Sequence, residues 1–382
     1  MGNISQIIGE NIKNLMDENK VTKLELAKAI GVTRQTLAKY ISGEAVIDSE
    51  KLFKIAEYFN KPITYFLDEK HEEFAFMFRA HNPAENFSLN QRNKIQVLME
   101  KVYEAYKLAG EIISYIPEQY NIDIDPNWKE IPSEVEEIIE QIAIEQRDSL
   151  DAGENVGDEL IKCFEAKGIR IIFEKMKNPK LFGLSAFHEK KGCFIFINDD
   201  EQIPEERKIF SIVHEYAHLL FHRHQYRQMQ IELQYTGRRK DINEKIADAF
   251  AGYFLIPRKM LKKYDYLLKK PISFKDLLYI KKELKVSLKS LIHALKNYGY
   301  ISKSDYTKAM QVISREGYSK IEPEPMAYIE KNKEFESIVR SLFQKNVIGV
   351  SKVAELLGIR IIEARQKIEK WIEHEEKISN LI

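Results

Sequence analysis

Two histidines and one glutamate are spaced along a single apolar segment so that they could hold a metal ion. His214 and His218 are four residues apart inside the run from Phe210 to Leu219. Side chains four apart on an α-helix share one face, so both imidazoles can reach one ion. Glu215 lies about 100° further round the axis, where its carboxylate can take a proton from water at an open coordination position. The spacing therefore predicts a metal site with its own general base.

The surroundings of this segment favour a metal site over an ordinary structural helix. Apolar residues flank the histidines on nearly all sides, which predicts a buried helix. Buried imidazole and carboxylate groups are costly unless they are satisfied, and a metal ion satisfies several at once. A buried helix with two hydrogen-bonded histidines is the alternative. Because this spacing is typical of zinc-dependent peptidases, peptide hydrolysis is the leading hypothesis for the activity.

A second predicted helix, from Asn243 to Leu255, offers the third ligand that catalytic zinc usually needs. Glu244 and Asp248 are four residues apart and share a face of that helix. We expect Glu244 to bind the ion and Asp248 to accept a hydrogen bond from a ligand histidine, most of all His214. An ordinary solvated acidic face is the alternative. The expected ion is Zn²⁺, with Mn²⁺ as the alternative, because two histidines and one carboxylate suit both.

His224 is a rival third ligand because it follows His214 by ten residues, an offset found in one class of zinc peptidases. That class has a glycine where this chain has Phe221, because the backbone must turn sharply there. The sequence therefore favours the carboxylate ligand. We expect His222 and His224 at the rim of the helix. Either of them, or Tyr235, could stabilise the tetrahedral intermediate, and these alternatives stay open.

The amino-terminal segment has the pattern of a helix-turn-helix. Thr22 and Glu25 form a capping box that opens a helix. Gly31 suits the left-handed turn that ends this helix, and Thr33 caps the next one. The second helix of such a pair enters the DNA major groove. A helical bundle that binds protein through a solvated polar face is the alternative.

The residues expected to contact double-stranded DNA lie at the start of this second helix. They are Thr33, Arg34, Gln35, Thr36 and Lys39. Arg34 and Gln35 suit guanine and adenine edges, whereas Lys39 and Thr33 suit phosphates, which position the protein without specifying sequence. Basic and acidic residues nearly balance in this segment, so we expect weak nonspecific affinity. Dimerisation, as a homodimer, or effector binding would then contribute to tight operator binding.

The composition is that of an ordinary globular protein, with 382 residues, 44% hydrophobic, 31% charged and a formal net charge of 0. The length predicts roughly two to three domains. Zero net charge means that DNA binding must rest on the local motif. No apolar run approaches about 18 residues, and no secretory signal is visible, which predicts no contact with a membrane. The two cysteines are too few for a disulfide framework and fit a cytoplasmic protein.

The rest of the chain predicts a mainly α-helical protein with a small β-sheet. The expected parts are an amino-terminal helix-turn-helix bundle, an α+β zincin-like metallopeptidase domain and a helical carboxy-terminal region. Strand-like runs at 169–173, 182–187 and 193–197 precede the histidine helix. We expect the run from Phe194 to Ile197 to be an edge strand that holds an extended substrate by backbone pairing.

Four regions follow from this organisation. They are residues 1–69, a helix-turn-helix domain; 70–150, a helical linker region; 151–320, the metallopeptidase domain; and 321–382, a helical region. The last region, like the first, has the pattern of two helices separated by a glycine. Its second helix has mixed charge, which favours a structural or dimerisation role over DNA binding.

These motifs together resemble a known family, the Xre-type helix-turn-helix regulators fused to an ImmA/IrrE-type metallopeptidase domain. The resemblance covers roughly residues 1–67 and 155–257. The motifs that carry it are the pattern from Thr22 to Ile41, Phe76 to Ala80, Phe182 to Ala186, Ile197 with Asn198, His214 to His218, and Glu244 to Ala251. It implies zinc ligands at His214, His218 and Glu244, with Glu215 as the general base. It also implies cleavage of a DNA-bound repressor protein, which relieves repression on a phage, mobile element or stress-response operon.

A non-proteolytic regulator is the main alternative. In that case the metallopeptidase fold would serve as a docking or sensing module in a DNA-binding or antitoxin-like protein. The intact Glu215 argues against this alternative, because a purely structural metal site needs no general base. The helix-turn-helix favours it. A digestive peptidase fits poorly with a cytoplasmic chain that carries a DNA-binding motif.

Overall fold

The protein, seen here in a computed structural model, is mainly α-helical with a small β-sheet, which confirms the predicted fold class. The structure describes residues 4–19, 21–59, 61, 63–67, 75–78, 89–111, 115–125, 128–178, 181–224, 242–269, 271–318 and 321–379. The chain divides into two units. The amino-terminal unit comprises Met1–Glu73 and Ser88–Glu100, and the large unit comprises Phe74–Phe87 and Lys101–Ile382. The boundary after Glu100 falls inside one helix, α5 (Leu89–Leu108).

Four helices and a short 3₁₀ turn build the first segment of the amino-terminal unit. They are α1 (Ile4–Glu18), α2 (Lys23–Ile30), α3 (Arg34–Ile41), α4 (Ser49–Phe59) and the 3₁₀ turn Ile63–Leu67. The capping box is present, because the Glu25 amide donates to Thr22 Oγ1 and the Thr22 amide donates to Glu25 Oε2. Gly31 ends α2 with φ 73°, and Thr33 caps α3. These local signals fold residues 22–41 into the predicted helix-turn-helix.

A four-stranded sheet lies in the large unit. Its strands are β1 (Ala75–Phe78), β2 (Arg170–Glu174), β3 (Gly183–His188) and β4 (Gly192–Asn198). Their order is β1-β3-β4-β2; the β2–β4 pair is parallel and the other two pairs are antiparallel. The expectation of an edge strand at residues 194–197 is wrong. β4 is central and buried along its whole length, because an apolar run that continues on both faces belongs to a strand covered on both sides.

Four helices pack with the sheet around one hydrophobic core. They are α6 (Ser133–Ser149), α7 (Glu159–Ala166), α8 (Glu205–Phe221) and α9 (Ile242–Leu255). Ile139 and Ala143 of α6 are buried in the same core as Ile212 of α8. Part of the segment that the sequence assigned to a linker therefore contributes a helix to the core that surrounds the histidines.

Helix α6 also contacts both helices that carry the predicted metal ligands. Gln146 Oε1 accepts a hydrogen bond from the Tyr216 hydroxyl of α8. The buried Arg147 donates to the carbonyl oxygen of Phe254 on α9 at 2.7 Å, and to the carbonyl oxygens of Gly153 and Asn155. Because carbonyls at a helix end lack partners within the helix, Arg147 satisfies a group that burial would otherwise make costly.

The remaining helices complete the large unit. They are α10 (Arg258–Leu261), α11 (Phe274–Glu283), α12 (Leu288–Asn297), α13 (Lys303–Arg315), α14 (Lys333–Gln344), α15 (Val350–Leu357) and α16 (Ile361–Ser379), with a 3₁₀ turn at Lys262–Tyr264. The last three helices share a small core of their own that includes Val353, Ala364 and Trp371. Among the described residues, no helix is both long enough and apolar enough to cross a membrane.

A cluster of charged side chains joins α7, β2 and α14. Arg170 Nη1 donates to Glu334 Oε1 at 3.0 Å and to the backbone oxygen of Glu165 at 3.3 Å. Burial, reinforced by the neighbouring Glu334 carboxylate, raises the pKa of the Glu165 carboxyl to about 8. The folded protein therefore keeps a proton on Glu165 at pH values where an exposed glutamate has lost it.

We expect the contribution of Glu165 to the free energy of unfolding of the large unit to fall as the pH rises from about 4.5 to about 8. A folded-state pKa above the unfolded value contributes stability that is complete below pH 4.5 and is lost by about pH 8. Glu165→Gln should remove a slope on the order of 1 kcal/mol per pH unit. Urea unfolding at four pH values measures this slope, and the exposed Glu355 provides the control variant Glu355→Gln. An unchanged slope in Glu165→Gln would contradict the assignment.

Candidate metal centre

The predicted ligands lie on two packed helices, α8 and α9. His214 and His218 are buried on one face of α8, and Glu244 lies in the first turn of α9. Ala247 and Ala251 on α9 are small and fully buried, which permits the two helices to approach closely. The structure thus brings together three side chains from two helices that are separate in the sequence.

Pairs of atoms from the three candidate ligand residues lie at distances close to those found around a tetrahedral ion. His214 Nε2 and His218 Nε2 are 3.1 Å apart. Glu244 Oε1 lies 3.2 Å from His218 Nε2, and Glu244 Oε2 lies 3.5 Å from His214 Nε2. Nitrogen and oxygen ligands about 2.0–2.2 Å from a tetrahedral zinc ion are roughly 3.3–3.5 Å from one another. The spacing fits one ion with a fourth position left over.

The outer nitrogens of both imidazoles have partners of their own. His214 Nδ1 lies 2.9 Å from Asp248 Oδ1, and His218 Nδ1 lies 2.9 Å from His222 Nδ1. When Nδ1 carries the proton, the Nε2 lone pair faces the centre. Two lone pairs and a carboxylate then converge on one point. Such a set of acceptors is unfavourable alone and favourable around a cation, so the chemistry of the donors fits a metal ion.

Two groups at the centre have shifted pKa values. Burial alone would raise the pKa of Glu244, but its contacts with His214 and His218 hold that pKa well below 4.5. Glu244 is therefore an ionised carboxylate. Burial and the neighbouring imidazole of His218 hold the pKa of His222 well below 6.5, so His222 is neutral and its Nδ1 can accept a hydrogen bond.

Strand β3 holds the expected general base. The Ser185 hydroxyl donates to Glu215 Oε2 at 2.8 Å, and both residues are fully buried. Gly183 permits this approach, because a Cβ there would lie 3.2 Å from Glu215 Cγ and 3.0 Å from the Phe196 carbonyl oxygen. Glu215 is thus set beside the ligand histidines with its carboxylate oriented by the sheet.

Three residues of this centre were missed in the sequence. His222 was expected at the rim but is buried, because the four-residue repeat that relates His214 to His218 continues to His222 and keeps it on the metal-facing side. That repeat is visible in the sequence. Gly183 and Ser185 lie about 30 residues away along the chain, and no spacing links them to Glu215.

The other candidates lie elsewhere. His224 is exposed, and its Nδ1 lies 3.0 Å from the Gln119 amide nitrogen instead of near the ligand atoms. Tyr235 lies outside the described residues.

The candidate DNA contacts cluster at the start of α3. Thr33, Arg34, Gln35 and Lys39 are exposed, and Thr36 is half-buried. The Thr33 hydroxyl accepts the Thr36 amide at 3.1 Å, so its first role is to cap the helix. Arg34, Gln35 and Lys39 remain at the surface, as the first turns of a recognition helix require.

Comparison with known proteins assigns a family to both parts. Residues 12–66 match the helix-turn-helix family, and residues 164–296 match the IrrE N-terminal-like domain. This chain fuses an Xre-type helix-turn-helix to an ImmA/IrrE-type domain. The second match contains His214, Glu215, His218 and Glu244. The predicted resemblance is confirmed.

Two individual proteins are also similar. The antitoxin PezA of Streptococcus pneumoniae serotype 4 is 28% identical over 95 residues, which are 25% of this chain and 54% of PezA. This chain therefore spans about half the length of that curated relative. The apo form of the competence regulator ComR from Streptococcus vestibularis aligns over 98% of this chain and 99% of that chain, with 13% identity and a TM-score of 0.17. A TM-score this low carries no argument about fold.

We expect His222→Ala to weaken zinc binding by about 10–100-fold, because the His218 ring loses the partner that sets its tautomer and orientation. Competition with a chromophoric chelator measures the affinity. His224→Ala is the matched control, since this exposed histidine is two residues further on, and its affinity should equal that of the wild type. Equal affinities in both variants would show that His222 does not position the ligand.

Proposed function

We propose that this chain is a DNA-binding regulator whose ImmA/IrrE-type domain is a zinc-dependent peptidase. Its substrate would be a repressor protein, and cleavage would relieve transcriptional repression. The helix-turn-helix match supports binding to double-stranded DNA. The observation that carries the hydrolytic part is the cluster of His214, His218 and Glu244, whose ligand atoms lie within 4.8 Å of one another, together with the buried carboxylate of Glu215, which follows His214 in the chain and accepts a hydrogen bond from Ser185.

The proposed reaction uses residues in distinct roles. His214, His218 and Glu244 would hold the metal ion, with Asp248 and His222 orienting the two imidazoles. When bound, zinc would polarise the scissile carbonyl and increase the acidity of water.

The proton transfers belong to Glu215. Its carboxylate takes a proton from the attacking water, and the hydroxyl adds to the carbonyl carbon. The C–N bond then breaks as Glu215 returns the proton to the leaving amine nitrogen. The Ser185 hydroxyl holds the carboxylate in place throughout.

The regulatory part of the proposal comes from the fusion of the two domains. A peptidase joined to a helix-turn-helix acts where DNA and its repressors are, in the cytoplasm. The identity of the substrate as a repressor follows from the family resemblance. The name of the PezA relative, an antitoxin, is consistent with a regulatory setting.

A second candidate function is a regulator that binds DNA without proteolysis and uses the ImmA/IrrE-type domain to dock a partner or sense a ligand. The antitoxin name of the relative favours it. The contact between Ser185 and Glu215 favours hydrolysis, because a site that only holds a metal has no use for a buried carboxylate oriented beside the ligands.

The first test separates metal binding from catalysis. We expect wild-type protein to bind about one equivalent of zinc or manganese, and Glu244→Ala and His218→Ala to lose it, because each removes a ligand. Glu215→Gln should keep the metal. It should no longer cleave repressor proteins of the organism that encodes this chain, since an amide cannot accept the proton. Elemental analysis and gel-based cleavage measure the two properties. Wild-type protein without metal after reconstitution would contradict the peptidase, and cleavage by Glu215→Gln would contradict the assigned base.

The second test addresses DNA binding. We expect Arg34→Ala and Gln35→Ala each to cost about 1–3 kcal/mol at individual base positions of an operator selected from random duplexes. Lys39→Ala should weaken all sequences equally and lower the salt slope by about one. Fluorescence anisotropy at several salt concentrations measures both effects. Lys54→Ala on α4, where the lysine is paired with Glu50, is the control, and an equal effect of Lys54→Ala and Arg34→Ala would contradict the assigned contacts.

A further inference from the structure

We propose that β1 is an internal mimic of the substrate and occupies the outer edge of β3, the edge at which an extended peptide would pair to reach Glu215. The inference rests on the proposed peptidase function. It assigns the peptide substrate to the outer edge of β3, which β1 occupies in this structure.

The strand order puts β1 on this edge. β3 pairs with β4 on one side and with β1 on the other, and β1 is the last strand of the described sheet. The pairing is antiparallel and runs from Ala75 opposite Phe187 to Phe78 opposite Leu184. Without β1, the outer edge of β3 would expose unpaired backbone N–H and C=O groups, which bind extended peptides by adding a strand.

This edge is the one that lies beside the general base. Ser185 and Gly183 of β3 both approach Glu215, at 2.8 Å between polar atoms for Ser185 and within contact distance for Gly183. A peptide on β3 lies one strand spacing, about 4.8 Å, from these residues, whereas a peptide on the opposite edge at β2 lies about three spacings away. Peptide bonds paired with β3 are therefore the ones that can reach the site.

The register places β1 opposite the part of β3 that contacts Glu215. Met77 is the residue opposite Ser185, so the backbone of Met77 is level with the side chain that holds Glu215. A strand of four residues makes few ladder hydrogen bonds, so a longer peptide with the same direction can displace it. Because the pairing uses backbone groups, a peptide can replace β1 without having the same side chains.

The connection of β1 is also informative. β1 starts at Ala75, and Glu73 is the last residue of the first segment of the amino-terminal unit. The strand that covers the peptide edge is therefore joined directly to the segment that carries the helix-turn-helix. Displacement of β1 by a peptide would therefore move the piece of chain that continues into the amino-terminal segment.

Proline substitutions in β1 test the proposal. In an antiparallel strand, the N–H groups of successive residues point to opposite sides, so one of Phe76 and Met77 donates toward β3. Phe76→Pro with Met77→Pro removes that donor whichever residue supplies it. The matched control, Phe76→Ile with Met77→Val, changes the same side chains and keeps both N–H groups. All variants are full-length and carry Glu215→Gln, so that hydrolysis plays no part.

The probe is a fluorescein-labelled peptide with the sequence of residues 73–80, followed by anisotropy. If β1 covers the edge in more than about nine molecules in ten, uncovering it should tighten binding at least tenfold. Hydrogen exchange of the amides of residues 184–187 should rise in the proline variant and stay low in the control. Equal peptide affinity in the two variants, or unchanged exchange at residues 184–187, would overturn the proposal.

Two further comparisons keep the outcome decisive. If the double proline variant fails to fold, as judged by circular dichroism, the single variants Phe76→Pro and Met77→Pro carry the test. One of them should bind the peptide tightly and the other should behave as the control, and identical behaviour of both overturns the proposal. Because these measurements need no cleavage, they are independent of the metal and hydrolysis measurements that test the peptidase itself.

Discussion

Convergence of three electron-pair donors, two of them buried and one half-buried, is the constraint on which the large unit depends. Two imidazole nitrogens and a carboxylate within 3.5 Å of one another repel unless a cation balances them. The helices that carry them must therefore be held from outside the centre. Helix α6 does this, because Gln146 binds Tyr216 on α8 and Arg147 binds the end of α9 at Phe254. Polar side chains of α6 therefore connect the two helices behind the site.

The sheet has a second role beyond closing the core. Its central strand β4 is wholly buried, and its neighbour β3 binds the candidate general base Glu215. β3 contributes a hydroxyl to Glu215 from its interior face and a backbone edge to β1. The same strand therefore links the orientation of the base to the placement of an extended chain.

Local periodicity explains what could be predicted from the sequence. A four-residue repeat determines which side chains share a helix face, so His214 could be paired with His218, and Glu244 with Asp248, from the sequence alone. The capping box and Gly31 mark helix ends through contacts of three or four residues, and these also appear as predicted. The coarse fold class follows from the same local patterns.

Non-local pairing explains what could not be predicted. β1 pairs with a strand more than 100 residues away, and nothing in four residues indicates that partner. The run at residues 194–197 is apolar on both faces, and periodicity alone does not distinguish a central from an edge strand. Helix α6 packs into the core through Ile139 and Ala143, and the distant partners of its Gln146 and Arg147 are not indicated by any local pattern.

The stripe formed by His214, His218 and His222 makes this centre sensitive to length as well as to residue type. One residue inserted between His214 and His218 would rotate the following turn by about 100° and shift it by about 1.5 Å. His218 and His222 would then both leave the helix face that carries His214, and no single substitution elsewhere restores the four-residue spacing. Natural variation in this helix should therefore consist of exchanges of side chains at constant spacing, with insertions and deletions confined to the segments outside it.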